Sequence, residues 1–151
     1  MKKILNTLAI LFTIITFTSC EGDEGPMGPK GDPGVSWYTK TITISKYQWK
    51  LSGAINDLNS YYYAEIPISE LSQFIFNDGT VLAYIEPENG IKNGLPYVLH
   101  KGEKVNGKEY LWTQTYDFDF EVGYMTFYLT YSDFNTISIP DTETFHIVLM
   151  W

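Results

Sequence analysis

The 151-residue chain sets 10 Lys and no Arg against 18 Asp and Glu, with 44 % hydrophobic and 17 % aromatic residues. That is enough chain and apolar material for one ordinary domain with a core, and it excludes a disordered polymer. The acidity excludes a nucleic-acid binder, and one Cys with two His excludes a disulfide scaffold and a cysteine-based zinc site.

The chain opens with Met1-Lys2-Lys3, a short positive segment, followed by an apolar run from Ile4 to Thr18. That run falls short of the roughly 20 residues a spanning helix needs, so residues 1–19 read as a secretory signal. The single Cys follows directly, in Phe17-Thr18-Ser19-Cys20. An apolar residue, two small residues and a Cys resemble the lipobox of bacterial lipoproteins, with Phe standing where that motif usually has Leu. The resemblance implies that Cys20 carries lipid, and that the signal is cut in front of it. Two or three acyl chains give stable anchoring where one is marginal. The acidic run Glu21-Gly22-Asp23-Glu24 is similar to the export signal of surface lipoproteins of the Bacteroidota; as a bare sequence it reads equally as a solvated linker.

Glycine then recurs every third residue, at Gly22, Gly25, Gly28, Gly31 and Gly34, with Pro26, Pro29 and Pro33 between. This resembles bacterial collagen-like repeats, in which only Gly fits the axis of three packed polyproline II chains. Five triplets close few interchain bonds, and Asp23 and Glu24 would repel across three chains. Residues 20–36 are therefore expected to be an extended linker on a monomer, with a homotrimer through the Gly triplets as the alternative.

From residue 37 to 151 the sequence predicts an all-β domain. It is expected to be an antiparallel β-sandwich of about seven strands with one short helix, preceded by the extended linker. The expected strands are 37–45, continuing after a bend through Tyr47, Trp49 and Leu51, then 61–66, 80–86, 95–100, 109–118, 124–131 and 144–151. Asp78-Gly79, Asn89-Gly90, Asn93-Gly94 and Asn106-Gly107 are each expected to supply the positive φ of a tight turn. Gly123 divides the two longest strands, which predicts a hairpin. A helical turn or two is expected over 69–76, with Ser69 as N-cap. The last strand must be tied into a sheet.

No catalytic constellation is visible, and neither a cofactor nor a metal is expected. His146 should face away from Phe145 and Ile147, and His100 should open an exposed loop. Asp117, Asp119 and Glu121 share one face of a strand. Alternate strand residues lie roughly 7 Å apart, too far for all three to hold one calcium ion without a bend, so they read as a solvated strand end. The aromatic surplus is more telling. Tyr124 and Tyr128, with the neighbouring threonines, are expected to face solvent as a candidate binding surface, joined by some of Tyr61, Tyr62 and Tyr63. Exposed tyrosines suit glycan stacking or protein contacts.

The stretch from Pro67 to Ile85, then Leu95-Pro96-Tyr97 and the closing apolar strand, behind a lipobox and Gly triplets, resemble small uncharacterised lipoproteins of the Bacteroidota. The resemblance implies a bacterial outer-membrane location, facing either the surface or the periplasm. The functional expectation is a lipid-anchored, non-enzymatic display or interaction module. The alternative is a glycan-binding accessory protein using exposed Tyr and Trp, with a polysaccharide hydrolase as a distant third.

Overall fold

A computed structural model describes residues 34–151. The expectations for the signal segment, Cys20 and the triplets from Gly22 to Pro33 lie outside the described residues.

The described chain forms nine strands and one short helix. In order these are β1 (Trp37–Ile44), β2 (Lys50–Ser52), β3 (Tyr61–Pro67), α1 (Gln73–Asp78), β4 (Thr80–Glu88), β5 (Ile91–Gly94), β6 (Tyr97–Val105), β7 (Lys108–Glu121), β8 (Tyr124–Tyr131) and β9 (Glu143–Met150). They build two antiparallel sheets, β1-β9-β4-β5 and β2-β3-β8-β7-β6. The all-β sandwich expected from the alternating β-branched and aromatic runs is what forms.

Period-two alternation decides which side chains meet between the sheets. In β8, Met125, Phe127 and Leu129 are buried while Tyr124, Thr126, Tyr128 and Thr130 turn outward. In β9, Phe145, Ile147 and Leu149 are buried, and His146 lies on the opposite side as the alternation requires. Phe127 and Phe145 meet across the layers with ring centroids 4.5 Å apart. Each such fully buried apolar side chain stabilises the fold by about 1.5–3 kcal/mol. The closing strand is tied in from both sides, because β9 runs between β1 and β4.

Several local expectations give way to tertiary context. The strand count rises to nine because β2 pairs with β3 as a separate short strand and Ile91–Gly94 joins β4. Lys46 to Gln48 form a turn, not strand. The helix begins later than expected, with Ser72 as its N-cap accepting from the Ile75 amide at 3.3 Å. Ser69 instead bonds Glu70, while its neighbours Ile68 and Leu71 are drawn into the core. Of the four predicted turn glycines, Gly90 and Gly107 adopt positive φ, with Asn106 positive as well. Gly79 and Gly94 do not. Gly79 is needed for close approach instead: a Cβ there would lie 2.7 Å from the Ile75 carbonyl oxygen. His100 lies within β6 rather than in a loop, bonded through Nδ1 to the Thr113 hydroxyl at 3.2 Å.

The two ends of the sandwich differ. At one end Ile68, Leu71 and Ile75 enter the core. There the Gly123 amide bonds the Leu71 carbonyl and the Ile68 amide bonds the Gly123 carbonyl. Phe76 packs edge-on against Phe120, centroids 5.9 Å apart. The opposite end is left open.

Candidate functional site

The open end results from unequal strand lengths. β8 stops pairing with β7 at Tyr131, opposite Gln114. β6 and β7 continue as a two-stranded arm to the Asn106–Gly107 turn. On the other layer the β4–β9 ladder ends at Ile85 and Phe145. The inward face of the arm therefore runs out from under its cover.

The inward residues fall into rungs given by the register. Leu129, Tyr116 and Tyr97 form one; Tyr131, Gln114 and Leu99 the next; then Trp112 with Lys101, and Tyr110 with Glu103. The first rung is still core, with Tyr116 only 5 % exposed; the last is open, with Tyr110 45 % exposed. Between arm and layer lies a cleft of about 460 Å³, in the usual size range for small-molecule sites.

The connection from β8 to β9 makes the third wall, contributing Asp133, Asn135, Ile139 and Asp141. It is pinned from behind. Thr136, buried at its centre, accepts from the Asn56 amide at 2.9 Å and lies 3.2 Å from the Ser60 hydroxyl. Its amide donates to the Asn56 side chain at 2.9 Å, and the buried Tyr62 hydroxyl donates to its carbonyl at 2.8 Å. The Trp49 indole donates to the Asp141 carbonyl at 3.2 Å. A long connection would otherwise carry unpaired backbone groups, and these bonds hold it in one place.

Aromatic faces and carboxylates line this space together. The Tyr97 and Tyr116 rings stack with centroids 6.5 Å apart. The Tyr116 hydroxyl donates to Glu143 Oε1 at 2.9 Å. Burial, then the charge and hydrogen bond of Glu143, push the Tyr116 phenol well above its ordinary value. Burial pushes Tyr131 up to about 12. Glu143 itself is half-buried, and its carboxyl is raised, first by desolvation and then by nearby Asp141, against the lowering effect of the Tyr116 bond and of Lys101. Among the described residues, the ion pairs join Lys50 with Glu65, Lys104 with Glu109 and His146 with Glu86. None involves Glu103, Asp133, Asp141 or Glu143.

The tyrosines singled out from the sequence lie elsewhere, on the outer face of the β8-containing sheet. Tyr128 packs edge-on against Tyr61 at 5.9 Å and donates to Asp119 at 2.7 Å. Burial and that bond push its phenol up to about 12. Tyr61 and Tyr128, with Tyr63, Ser52, Glu65 and Thr126, line a shallow depression of about 250 Å³. Tyr124 is exposed at the end of β8, opposite Glu121, and does not line the depression. Tyr62 points inward and is buried. Asp117, Asp119 and Glu121 are exposed on one face, and among the described residues no three His, Cys, Asp or Glu side chains converge to hold a metal ion. On the other sheet His146 bridges the Thr41 hydroxyl at 2.9 Å and the Glu86 carboxylate.

The cleft residues Tyr97, Tyr110, Trp112, Tyr131 and Glu143 were not singled out as a site. Tyr110 and Trp112 carry the same alternation as the core residue Tyr116, and only the end of the opposing layer separates them. No family model, curated protein or solved structure matches the chain.

Proposed function

We propose that this chain is a lipid-anchored binding module of a bacterial outer membrane, and that it takes a glycan in the cleft between the β6–β7 arm and the β8–β9 connection. The observation that carries the ligand assignment is the concavity of the aromatic strip: Tyr97, Tyr110, Trp112 and Tyr131 line a recess rather than a flat patch. A sugar ring presents an apolar C–H face that stacks on Tyr and Trp, and hydroxyls that donate to carboxylates and amides. Gln114, Asn135, Asp141 and Glu143 supply such partners around the same space. A flat or convex aromatic patch would favour a protein partner instead. The anchor rests on Cys20 and the lipobox around it, and residues 20–36 serve as the spacer between lipid and domain.

A glycan array probed with the soluble chain from Glu21 onward tests the ligand class. Binding to a restricted set of oligosaccharides, without their cleavage, supports the reading. An empty array overturns it, and release of shorter products makes the chain a hydrolase. For the anchor, Cys20→Ala should abolish palmitate labelling and membrane retention; unchanged labelling in that variant contradicts lipidation.

A further inference from the structure

The cleft is aromatic, and it is also unbalanced in charge. Glu103, Asp133, Asp141 and Glu143 line it with Lys101 as the one cationic side chain among its lining residues. None of the four carboxylates has an ion-pair partner among the described residues. Lys104, farther along the same arm, is engaged by Glu109 at 3.7 Å. Half-burial of Glu143 next to Asp141 makes its charge costly where it stands, because two like charges share a partly desolvated space. A cation entering the cleft relieves that repulsion. It also lies against Tyr and Trp faces, whose quadrupoles attract positive charge. An anionic ligand meets the opposite everywhere but at Lys101.

Resting on the glycan reading above, we infer that the glycan taken by the cleft carries a free, protonated amino group, seated between the aromatic faces and the Asp141–Glu143 carboxylates. A neutral sugar has the stacking surface and the hydrogen bonds but not the charge pair. A uronic-acid sugar is repelled. The selectivity is electrostatic, so it weakens as salt screens the pair.

The direct test is a pair of β-1,4-linked tetrasaccharides that differ at one position per ring, glucosamine tetraose and cellotetraose. Both are titrated against the soluble chain near pH 6 in low salt, with tetragalacturonate and tetralysine as companions. The expected result is at least tenfold tighter binding of glucosamine tetraose than of cellotetraose, with no binding of tetragalacturonate. Asp141→Asn and Glu143→Gln should each reduce that preference severalfold, weakening glucosamine tetraose far more than cellotetraose. The second readout separates a charge effect from damage to the cleft. Equal binding of the two tetrasaccharides overturns the amine inference and leaves the glycan reading standing. Binding of tetralysine with neither tetrasaccharide overturns both and makes the ligand a cationic peptide.

Discussion

Strand β7 passes through two environments, and the contrast between them explains the molecule. Near Gly123 its inward residues Phe118 and Phe120 are sheltered: Phe118 meets Phe127 at a tilt, centroids 6.5 Å apart, and Phe120 meets Phe76 of α1. Six to ten residues earlier the same face carries Trp112 and Tyr110, which line the cleft at the arm that runs on past the end of β8. One end spends its aromatics on cohesion; the other sets them beside carboxylates that have no ion-pair partner among the described residues. Side chains of the same kind, on one strand, take different roles because one sheet is shorter than the other.

That contrast is broken most forcefully at the core. Phe145→Ala removes a ring that meets Phe127, Tyr116 and Trp49. It should cost about 3–5 kcal/mol of unfolding free energy. Tyr110→Ala, on the open arm, should cost less than about 1 kcal/mol, since its ring is already close to half exposed. Urea unfolding of the two variants compares the ends directly. Similar losses would mean that the arm belongs to the cooperative core.

Thr136→Val sharpens the comparison at the wall between the ends. The substitution keeps the shape but removes the hydroxyl that accepts from the part-buried Asn56 amide and lies 3.2 Å from the buried Ser60 hydroxyl. A buried donor left unsatisfied costs about 1–3 kcal/mol. The same variant should weaken ligand binding, because the β8–β9 connection carries Asp133 and Asp141 into the cleft. Loss of stability with binding unchanged would show that the wall is not part of the seat.

A smaller effect is expected from pH. The raised Glu143 carboxyl means that the folded state holds this proton more tightly than the unfolded chain does. Its contribution to stability is therefore fullest below the unfolded carboxyl value of about 4.5, and it declines as pH rises through the raised folded value. Glu86 has the opposite sign. The Gly90 amide and then His146 lower its carboxyl, so its contribution is present above about 4.5 and is lost as pH falls through the lowered value. Denaturation midpoints measured from pH 3 to 8 should show Glu143→Gln gaining on the parent with rising pH. A constant difference between the two would place Glu143 in an ordinary solvated setting.

Much of the sheltered end was legible in the sequence. The alternation of Met125, Phe127 and Leu129, and of Phe145, Ile147 and Leu149, marks core faces, and Gly123 marks the hairpin between β7 and β8. These are local signals with period two. The open end was not legible, because nothing local distinguishes Trp112 from Tyr116. Their difference depends on where β4 and β9 stop, and hence on a pairing between strands some sixty residues apart in the chain. β5 was missed for a related reason. Ile-Lys-Asn-Gly has little strand propensity of its own, and it is held by β4 across the Asn89–Gly90 turn. The tyrosines chosen as a surface, Tyr124 and Tyr128, do face outward. The sequence could not reveal that Tyr128 is engaged by Tyr61 and Asp119, or that a deeper recess lies on the opposite side of its sheet.

The central claim is that the recess, not the outer tyrosine face, holds the ligand. It is tested most directly by titrating the best array glycan against Trp112→Ala and Tyr128→Ala side by side. Circular dichroism first establishes that both variants are folded. A stacked aromatic removed from the seat should weaken binding at least tenfold in Trp112→Ala, equivalent to about 1.4 kcal/mol or more, while Tyr128→Ala binds as the parent does. Loss of binding in Tyr128→Ala with Trp112→Ala unaffected would contradict the account and move the site to the outer face of the sheet.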